Sequence, residues 1–483
     1  MREYKDLREW LQIVSGFNEL TVIKDADWNV EIGALQELNH KENMRKGKKV
    51  PALLFDEIKG YAPGLRVLTN SLSSLARLGL TLNLDLDKAG KSQTDLIQAI
   101  RRKLAAIVPI PPKFVQTGPV MENVDEGEAI DLLKFPAPKW HEEDCGRYIG
   151  TGSVTVTRDP DEGWVNLGTY RVMIHDAKTA AFYVSPGKHG YIQREKYFAA
   201  NKPCPISVVI GGDPLLHMLA TKEFEYGVSE YDIAGGIKGF PIEVMTGSNG
   251  LPIPAGAELV IEGESIPGEV REEGPFGEWT GYYGSAMRKE PTIRVKRVLY
   301  RNDPIILGAP PCKPPTMNSF VAGMLRSAML WNDLEKNSIP DIQGVACHEV
   351  GGSRLLVVMS IKQRYSGHAR QALMSAAQCH ATAYLGRFIV VVDEDIDPTD
   401  LNEVVWAMCT RCDPEYDMDI MRRCWSGPLD PIIPPERKGF SSRALVDACK
   451  PFERLKTFPR VAQVSPALRA QMLDKWSQLF DGA

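Results

Sequence analysis

The sequence predicts an α+β protein in three parts, and three observations carry that reading. Helical spacing of apolar residues marks the first hundred residues. Short β-branched runs parted by turn clusters fill the middle, and strand–helix–strand order follows Pro310. The opening segment sets Leu7, Trp10, Leu11 and Val14 on one face of an amphipathic helix. A mixed α/β region comes next. Its later helix starts at Ser92, with Asp95 as capping partner and Leu96, Ile97, Ile100 and Leu104 as its apolar stripe. Pro109, Pro111 and Pro112 stop the pattern, which sets a first region at 1–112.

Over 113–310 the segments 154–157, 164–173, 181–184, 206–210, 242–245, 258–262 and 292–298 read as strands. Turn clusters at 159–163, 211–214 and 246–250 separate them, predicting a mostly antiparallel barrel or sandwich. A linker helix falls in 311–330, with 318–330 helical. An α/β domain at 331–460 then has a strand at 355–361, a long alanine-containing helix at 367–384 and a buried strand at 388–392. The acidic turn 393–397 and a helix at 401–408 complete it, an order that suggests a parallel sheet. Ser465 and Pro466 open a last amphipathic helix (461–483) carrying Leu468, Met472, Trp476 and Leu479, suited to dock on a neighbouring subunit or on its own domain.

Composition narrows the class. The 483 residues are 43% hydrophobic and 25% charged, as in a soluble globular chain. A net charge of -5 gives no footprint for nucleic acid, and no apolar run reaches the ~18 residues of a membrane span. The charged start MREYKDLREW lacks a signal-peptide core, and nine cysteines, an odd number, suit reduced thiols, so the expected compartment is the cytoplasm. Cys409 and Cys412 form a lone CxxC with Cys424 further on. Without a second pair this reads as packing on a buried element rather than a zinc site. GGIKG at 235–239 lacks the strand-to-helix context of a dinucleotide loop, and neither GxxxxGK[ST] nor GxSxG occurs.

The stretch 269–283, EVREEGPFGEWTGYY, carries the chemistry. Gly274, Pro275, Gly277 and Gly281 force a tight loop that can fix Glu273 and Glu278 while Phe276 and Trp279 wall them from water. A carboxyl desolvated in this way holds its proton to higher pH and can donate it near neutrality. The plainer alternative is an acidic surface turn. A second polar set comprises Asn166 and Arg171 in GWVNLGTYRV, His189 in SPGKHGY and Glu230 in SEYDIAGG. Asn, His and Glu together suit a cation of intermediate hardness such as Mn²⁺. Singly, each has a duller role: a strand edge, a residue after a Gly-Lys turn, a cap. Arg171 lies five residues after Asn166 and on a regular strand would face the other way. Either Gly168 bends the strand or the two serve different parts of one ligand.

EGPFGEWTGYY, NLGTYR, His189, SEYDIAGGIKGFPIEV, VVVDEDIDP and Leu429-Asp430-Pro431 occur in an order and spacing similar to those of the UbiD-type reversible decarboxylases, over nearly the whole chain. That resemblance implies a split β-barrel of flavin-reductase type, packed with N-terminal α/β elements and joined by a long helix to a C-terminal oligomerisation domain. It implies prenylated FMN, provided by a flavin prenyltransferase, with its phosphate on Mn²⁺ held by Asn166, His189 and Glu230. A K⁺ beside it takes the Trp164 carbonyl and a Glu230 oxygen. Cofactor contacts fall on Asn166, Thr169, Arg171, Lys188, His189 and Glu230, and the catalytic network on Glu273, Arg171 and Glu278. The implied assembly is a homo-oligomer, a dimer or hexamer. The implied substrate is an aromatic or heteroaromatic acid, with Glu278 as proton donor and Arg171 orienting the carboxylate with Glu273. Trp279 stands where many relatives carry histidine or another smaller residue, suiting a flat ring in a confined pocket, with core packing as the alternative. Lys188 could favour an anionic or phenolic group. Two other readings are hydrolysis by the Glu273/Glu278 pair and a flavin-binding subunit of a carboxylase complex.

Overall fold

The computed structural model describes residues 3–85, 92–222, 224–284, 286–427, 429–437 and 439–479. Met1 and Arg2 of the charged start, and 480–483 of the expected last helix, lie outside the described residues. The opening helix Leu7–Ser15 buries all four expected residues, at about 1.5–3 kcal/mol for each large apolar side chain. Trp10 Nε1 donates to Thr81 Oγ1 at 3.0 Å, so its polar edge is satisfied as well. Helix Gln93–Ala105 is capped as expected, Ser92 Oγ accepting from Asp95 N. It packs on helix Met317–Lys336, Arg101 lying 4.6 Å over the Trp331 ring. The N-terminal sheet runs Leu20–Lys24, Ala52–Asp56, Arg66–Thr69, Ile305–Leu307, so its last strand arrives from far down the chain.

The central sheet is antiparallel at every pairing. Its order is Arg147–Tyr148, Arg171–Asp176, Thr179–Tyr183, Arg288–Tyr300, Leu259–Ser265, Cys204–Ile210, Val154–Arg158, Val165–Gly168; Val270–Glu273 and Asn123–Glu126 also pair with Arg288–Tyr300. Val165–Gly168 and Arg171–Asp176 lie near opposite ends of that order, yet only Thr169 and Tyr170 join them. Three residue steps reach at most about 11 Å. The sheet must therefore curl until its ends nearly meet, giving a barrel split at this seam. The single strand expected over 164–173 is thus two strands. A Cβ on Gly168 would stand 2.2 Å from the Tyr170 ring, so glycine is needed where the chain turns.

The linker helix, expected over 318–330, runs Met317–Lys336 from a Thr316/Ser319 capping box. The C-terminal sheet has the order Ile342–Cys347, Leu356–Ile361, Phe388–Asp393, Phe440–Ala448, Met418–Trp425. It is parallel inside and antiparallel at both outer strands, hence mixed rather than parallel. The helix expected over 367–384 is two, His368–Gln378 and His380–Ala383, broken at the extended Cys379. Arginines take up carbonyls beyond the break: Arg326 Nη1 donates to Ala381 O at 2.7 Å and Arg443 Nη2 to Ala383 O at 2.8 Å. The last helix, Pro466–Lys475, buries no residue, with Leu468 and Trp476 each 43% exposed. It does not dock on its own domain, and Trp476 and Leu479 fall past its end, so the amphipathic stripe is not continuous. On helix Leu401–Arg411, Val404, Ala407 and Arg411 face inward, which turns Cys409 to solvent rather than into a buried element. All nine cysteines are free thiols. Among the described residues no helix is long and apolar enough to cross a membrane.

Candidate active site at the barrel seam

The loop 274–283 is fixed by backbone contacts. Strand Val270–Glu273 pairs antiparallel with Arg288–Tyr300 and sets Glu273 opposite Arg288. Gly274 and Gly281 take φ +88° and +85°, which only glycine adopts cheaply, and the Gly274–Pro275 peptide is cis. Gly277 N donates to Asp144 Oδ1 at 3.0 Å, and Gly281 N to the Glu278 carbonyl at 2.9 Å. Phe276 is buried against the Tyr148 ring, centroids 4.2 Å apart.

Arg171 opens its strand and grips both expected carboxylates. Nη2 donates to Glu273 Oε2 at 2.7 Å and Nη1 to Glu278 Oε1 at 2.5 Å, while Tyr148 OH donates to the other Glu273 oxygen at 2.8 Å. The guanidinium lies over the Tyr183 ring (4.4 Å) and the Phe276 ring (5.1 Å). Glu273 and Glu278 are 1% and 6% exposed, so a buried cation faces two buried carboxyls. One net negative charge in a desolvated pocket favours retention of a proton. Accordingly burial raises the Glu278 pKa, and Arg171 only partly offsets the rise. Burial works against the charge on Arg171, but Glu278 and Glu273 outweigh it and hold the guanidinium above its ordinary value. The arrangement can orient a carboxylate and deliver a proton.

Beside it, Tyr170 gathers the second set. Asn166 Nδ2 donates to Thr157 Oγ1 (3.1 Å) and Tyr170 OH (3.4 Å), and Gly190 N donates to that same hydroxyl at 3.0 Å. The start of helix His189–Ala199 is thereby tied to strand Val165–Gly168. Glu230 opens helix Glu230–Lys238 and accepts from Leu167 N at 2.7 Å. It has no ion-pair partner among the described residues, and burial pushes its carboxyl up to about 8. A buried acid beside an amide that presents its oxygen and an imidazole fits a divalent cation. Trp164 packs edge-on to His189 (5.3 Å), and its carbonyl accepts from Asp159 N at 2.9 Å. Thr169 gives its N–H to Ala220 O, while its buried hydroxyl has no hydrogen-bond partner among the described residues. A cavity of about 300 Å³ is lined by Asn166, His189, Thr169 and Lys188; one of about 220 Å³, sharing Thr169 and Lys188, reaches Arg171 and Glu278.

Three domain models of 3-octaprenyl-4-hydroxybenzoate carboxy-lyase match the chain, the N-terminal one over 11–97, the Rift-related one over 113–314 and the C-terminal one over 319–448. The chain belongs to the UbiD family. It is thus a carboxy-lyase by family. The phenolic acid decarboxylase of Sedimentibacter hydroxybenzoicus is 32% identical over 93% of this chain and 92% of its own. The pyrrole-2-carboxylic acid decarboxylase of Pseudomonas aeruginosa is 31% identical over 94% and 93%. The UbiD-class enzyme HmfF from Pelotomaculum thermopropionicum, solved with FMN, superposes with a TM-score of 0.85 at 29% identity over 98% of this chain and 100% of that one. An evolved dimeric form of the same enzyme, with prFMN, gives 0.82 at 28% identity, covering 98% and 100%.

In this UbiD chain the structure brings Arg171, Glu273 and Glu278 into contact, and Asn166, Glu230 and His189 to one end of the seam. Trp279 lies against Gly352 and beside Arg354 of the C-terminal domain, and with them it lines the cavity of about 300 Å³ that Asn166 and His189 share. Phe276, Tyr148 and Tyr183, rather than Trp279, lie around the acidic pair. Tyr148, Asp144, Tyr170 and Tyr183 escaped the sequence reading. Tyr148 stands 125 residues from the glutamate it holds, and no local spacing announces such a pair.

Proposed function

We propose that the chain catalyses reversible, non-oxidative decarboxylation of an aromatic or heteroaromatic acid with prenylated FMN bound along the seam. The observation that carries this is the fork of Arg171 on two buried carboxyls that share one excess negative charge. Asn166, His189 and Glu230 would hold Mn²⁺ for the cofactor phosphate. The Trp164 carbonyl and Glu230 would hold K⁺, and Thr169 and Lys188 would contact the cofactor. Prenylated FMN, made by a flavin prenyltransferase, supplies when bound the electrophile that an sp² carbon losing CO₂ requires and that no side chain offers. The acids named for the relatives, phenolic and pyrrole-2-carboxylic, support a flat ring as substrate.

Arg171 binds the substrate carboxylate with its forked, permanently charged head and keeps Glu273 in register. Tyr148 fixes Glu273 from the far side. Phe276 and Tyr183 exclude water, which raises the worth of each charge in the pocket. Once CO₂ has left, Glu278 delivers its proton to the former carboxyl carbon, a contribution of ~10²–10⁴ in rate. The carboxylating direction crosses the same transition state. A cytoplasmic homo-oligomer, dimer or hexamer, completes the proposal. Hydrolysis by the carboxyl pair is disfavoured because both acids sit on one guanidinium rather than facing each other across a groove. Co-production with a flavin prenyltransferase, followed by a screen of aromatic acids for CO₂ release and ring-proton exchange in D₂O, tests the reading. Colourless protein active on glycosides would refute it, as would coloured protein that releases no CO₂ from any acid.

A further inference from the structure

Behind the catalytic loop lies a second cluster. Glu37 comes from helix Glu31–Arg45, His141 from the stretch after the buried Trp140, and Cys312 from the segment entering the linker helix. One ligand atom from each lies within 4.8 Å of the others. The imidazole is arranged as a metal ligand would be. Its Nδ1 lies 3.1 Å from Asp144 Oδ2, and its Nε2 is buried with no hydrogen-bond partner among the described residues. A carboxylate on one ring nitrogen fixes the tautomer that presents the other as a lone pair. Glu37 Oε1 pairs with Lys41, leaving Oε2 for a cation.

We propose that Glu37, His141 and Cys312 bind a zinc-type divalent cation that pins the catalytic loop. Imidazole, thiolate and carboxylate are the donor classes of Zn²⁺, with a water in the fourth position. Bonds of roughly 2.0–2.3 Å set tetrahedral ligands about 3.3–3.8 Å apart, so side-chain movements of about 1 Å close the set. Binding releases the Cys312 proton to solvent, and the two ligand anions balance the metal's charge. Asp144, which orients His141, also accepts from Gly277 N, one residue before Glu278. The metal would thus tie the N-terminal helix and the entry to the linker helix to the loop that carries the proton donor. This site is separate from the Asn166/His189/Glu230 set and stands whether or not that set binds Mn²⁺.

Cobalt reads the thiolate directly. The full-length protein, stripped with chelator and then saturated with Mn²⁺, should take up one equivalent of Co²⁺ with a thiolate-to-cobalt charge-transfer band, and Zn²⁺ should displace it. The band should vanish in Cys312→Ser and His141→Gln and persist in Cys145→Ser and His189→Ala. Glu37→Gln, on a half-buried helix face that leaves the thiol in place, should weaken Co²⁺ at least tenfold while its thermal unfolding stays cooperative. No band in the parent protein would overturn the proposal. So would a band that survives in Cys312→Ser, or one lost in His189→Ala or Cys145→Ser.

Discussion

Glu230 makes the chain's pH dependence a test of the proposed cation site. The side chain is 1% exposed, and burial moves its carboxyl from 4.5 to about 8. A shift of that size corresponds to about 5 kcal/mol between the two protonation states. Because the folded pKa is raised, the contribution to stability is fully present below pH 4.5 and is lost as pH climbs towards 8. About 3–4 kcal/mol of the loss falls between pH 5 and pH 8. At ~2.1 cal/mol/K of unfolding entropy per residue, 483 residues give about 1 °C per kcal/mol, hence a Tm lower by about 3–4 °C at pH 8 than at pH 5 from this group alone. Glu230→Gln removes the titration, so the comparison is the pH slope of Tm in metal-stripped parent protein against that variant. Mn²⁺ should erase the difference by holding the carboxylate ionised, and should stabilise the parent more at pH 8 than at pH 5. Equal slopes in the two metal-stripped proteins, or Mn²⁺ stabilising the variant as much as the parent, would refute the reasoning.

Further outcomes follow from the same geometry. Glu278→Gln should keep flavin absorbance and lose ~10²–10⁴ in turnover, read as CO₂ release and ring-deuterium incorporation; full activity would remove Glu278 as the donor. Because the acid form donates, the parent's rate should fall as pH rises through the raised Glu278 pKa, at higher pH than an ordinary carboxyl would give. His189→Ala should purify without flavin absorbance, and a coloured variant would contradict its place in the cation set. Tyr148→Phe removes a hydrogen bond to Glu273 worth about 1.5–3 kcal/mol, so kcat/KM should fall about 10- to 100-fold with flavin content unchanged. Gly168→Ala drives a Cβ into the Tyr170 ring and should cost ~1–3 kcal/mol by thermal unfolding while weakening Mn²⁺ binding, since Tyr170 joins Asn166 to the start of the His189 helix.

What the sequence made legible was local. Leu7, Trp10, Leu11 and Val14 repeat at helical spacing and are buried together; Ser92 and Asp95 cap the helix they announce. Glu273 and Glu278 stood out because glycine and proline around them forbid a helix. What stayed hidden depends on distant partners. The break after Gly168 follows from the closure of the sheet, which makes neighbours of strands at opposite ends of its order. At the split at Cys379, side chains take the carbonyls that a continuous helix would have bonded to its own backbone, Arg443 that of Ala377 and Thr382 that of Ala376. Nor does the loop motif show that its neighbouring residues serve different cavities, Trp279 the larger and Glu278 the smaller. The last helix starts at Ser465 and Pro466 as read, but apolar letters at helical spacing do not say what covers them.

The strand Ile305–Leu307 leaves the antiparallel sheet and completes the N-terminal one beside Arg66–Thr69. Whoever trims this protein at the proline break near residue 112 would strip that strand of its neighbour and bare a row of unpaired amides and carbonyls, an adhesive edge. The two halves are stitched rather than abutted, so they should melt in one transition, and the shortest soluble fragment containing the seam should retain the first hundred residues.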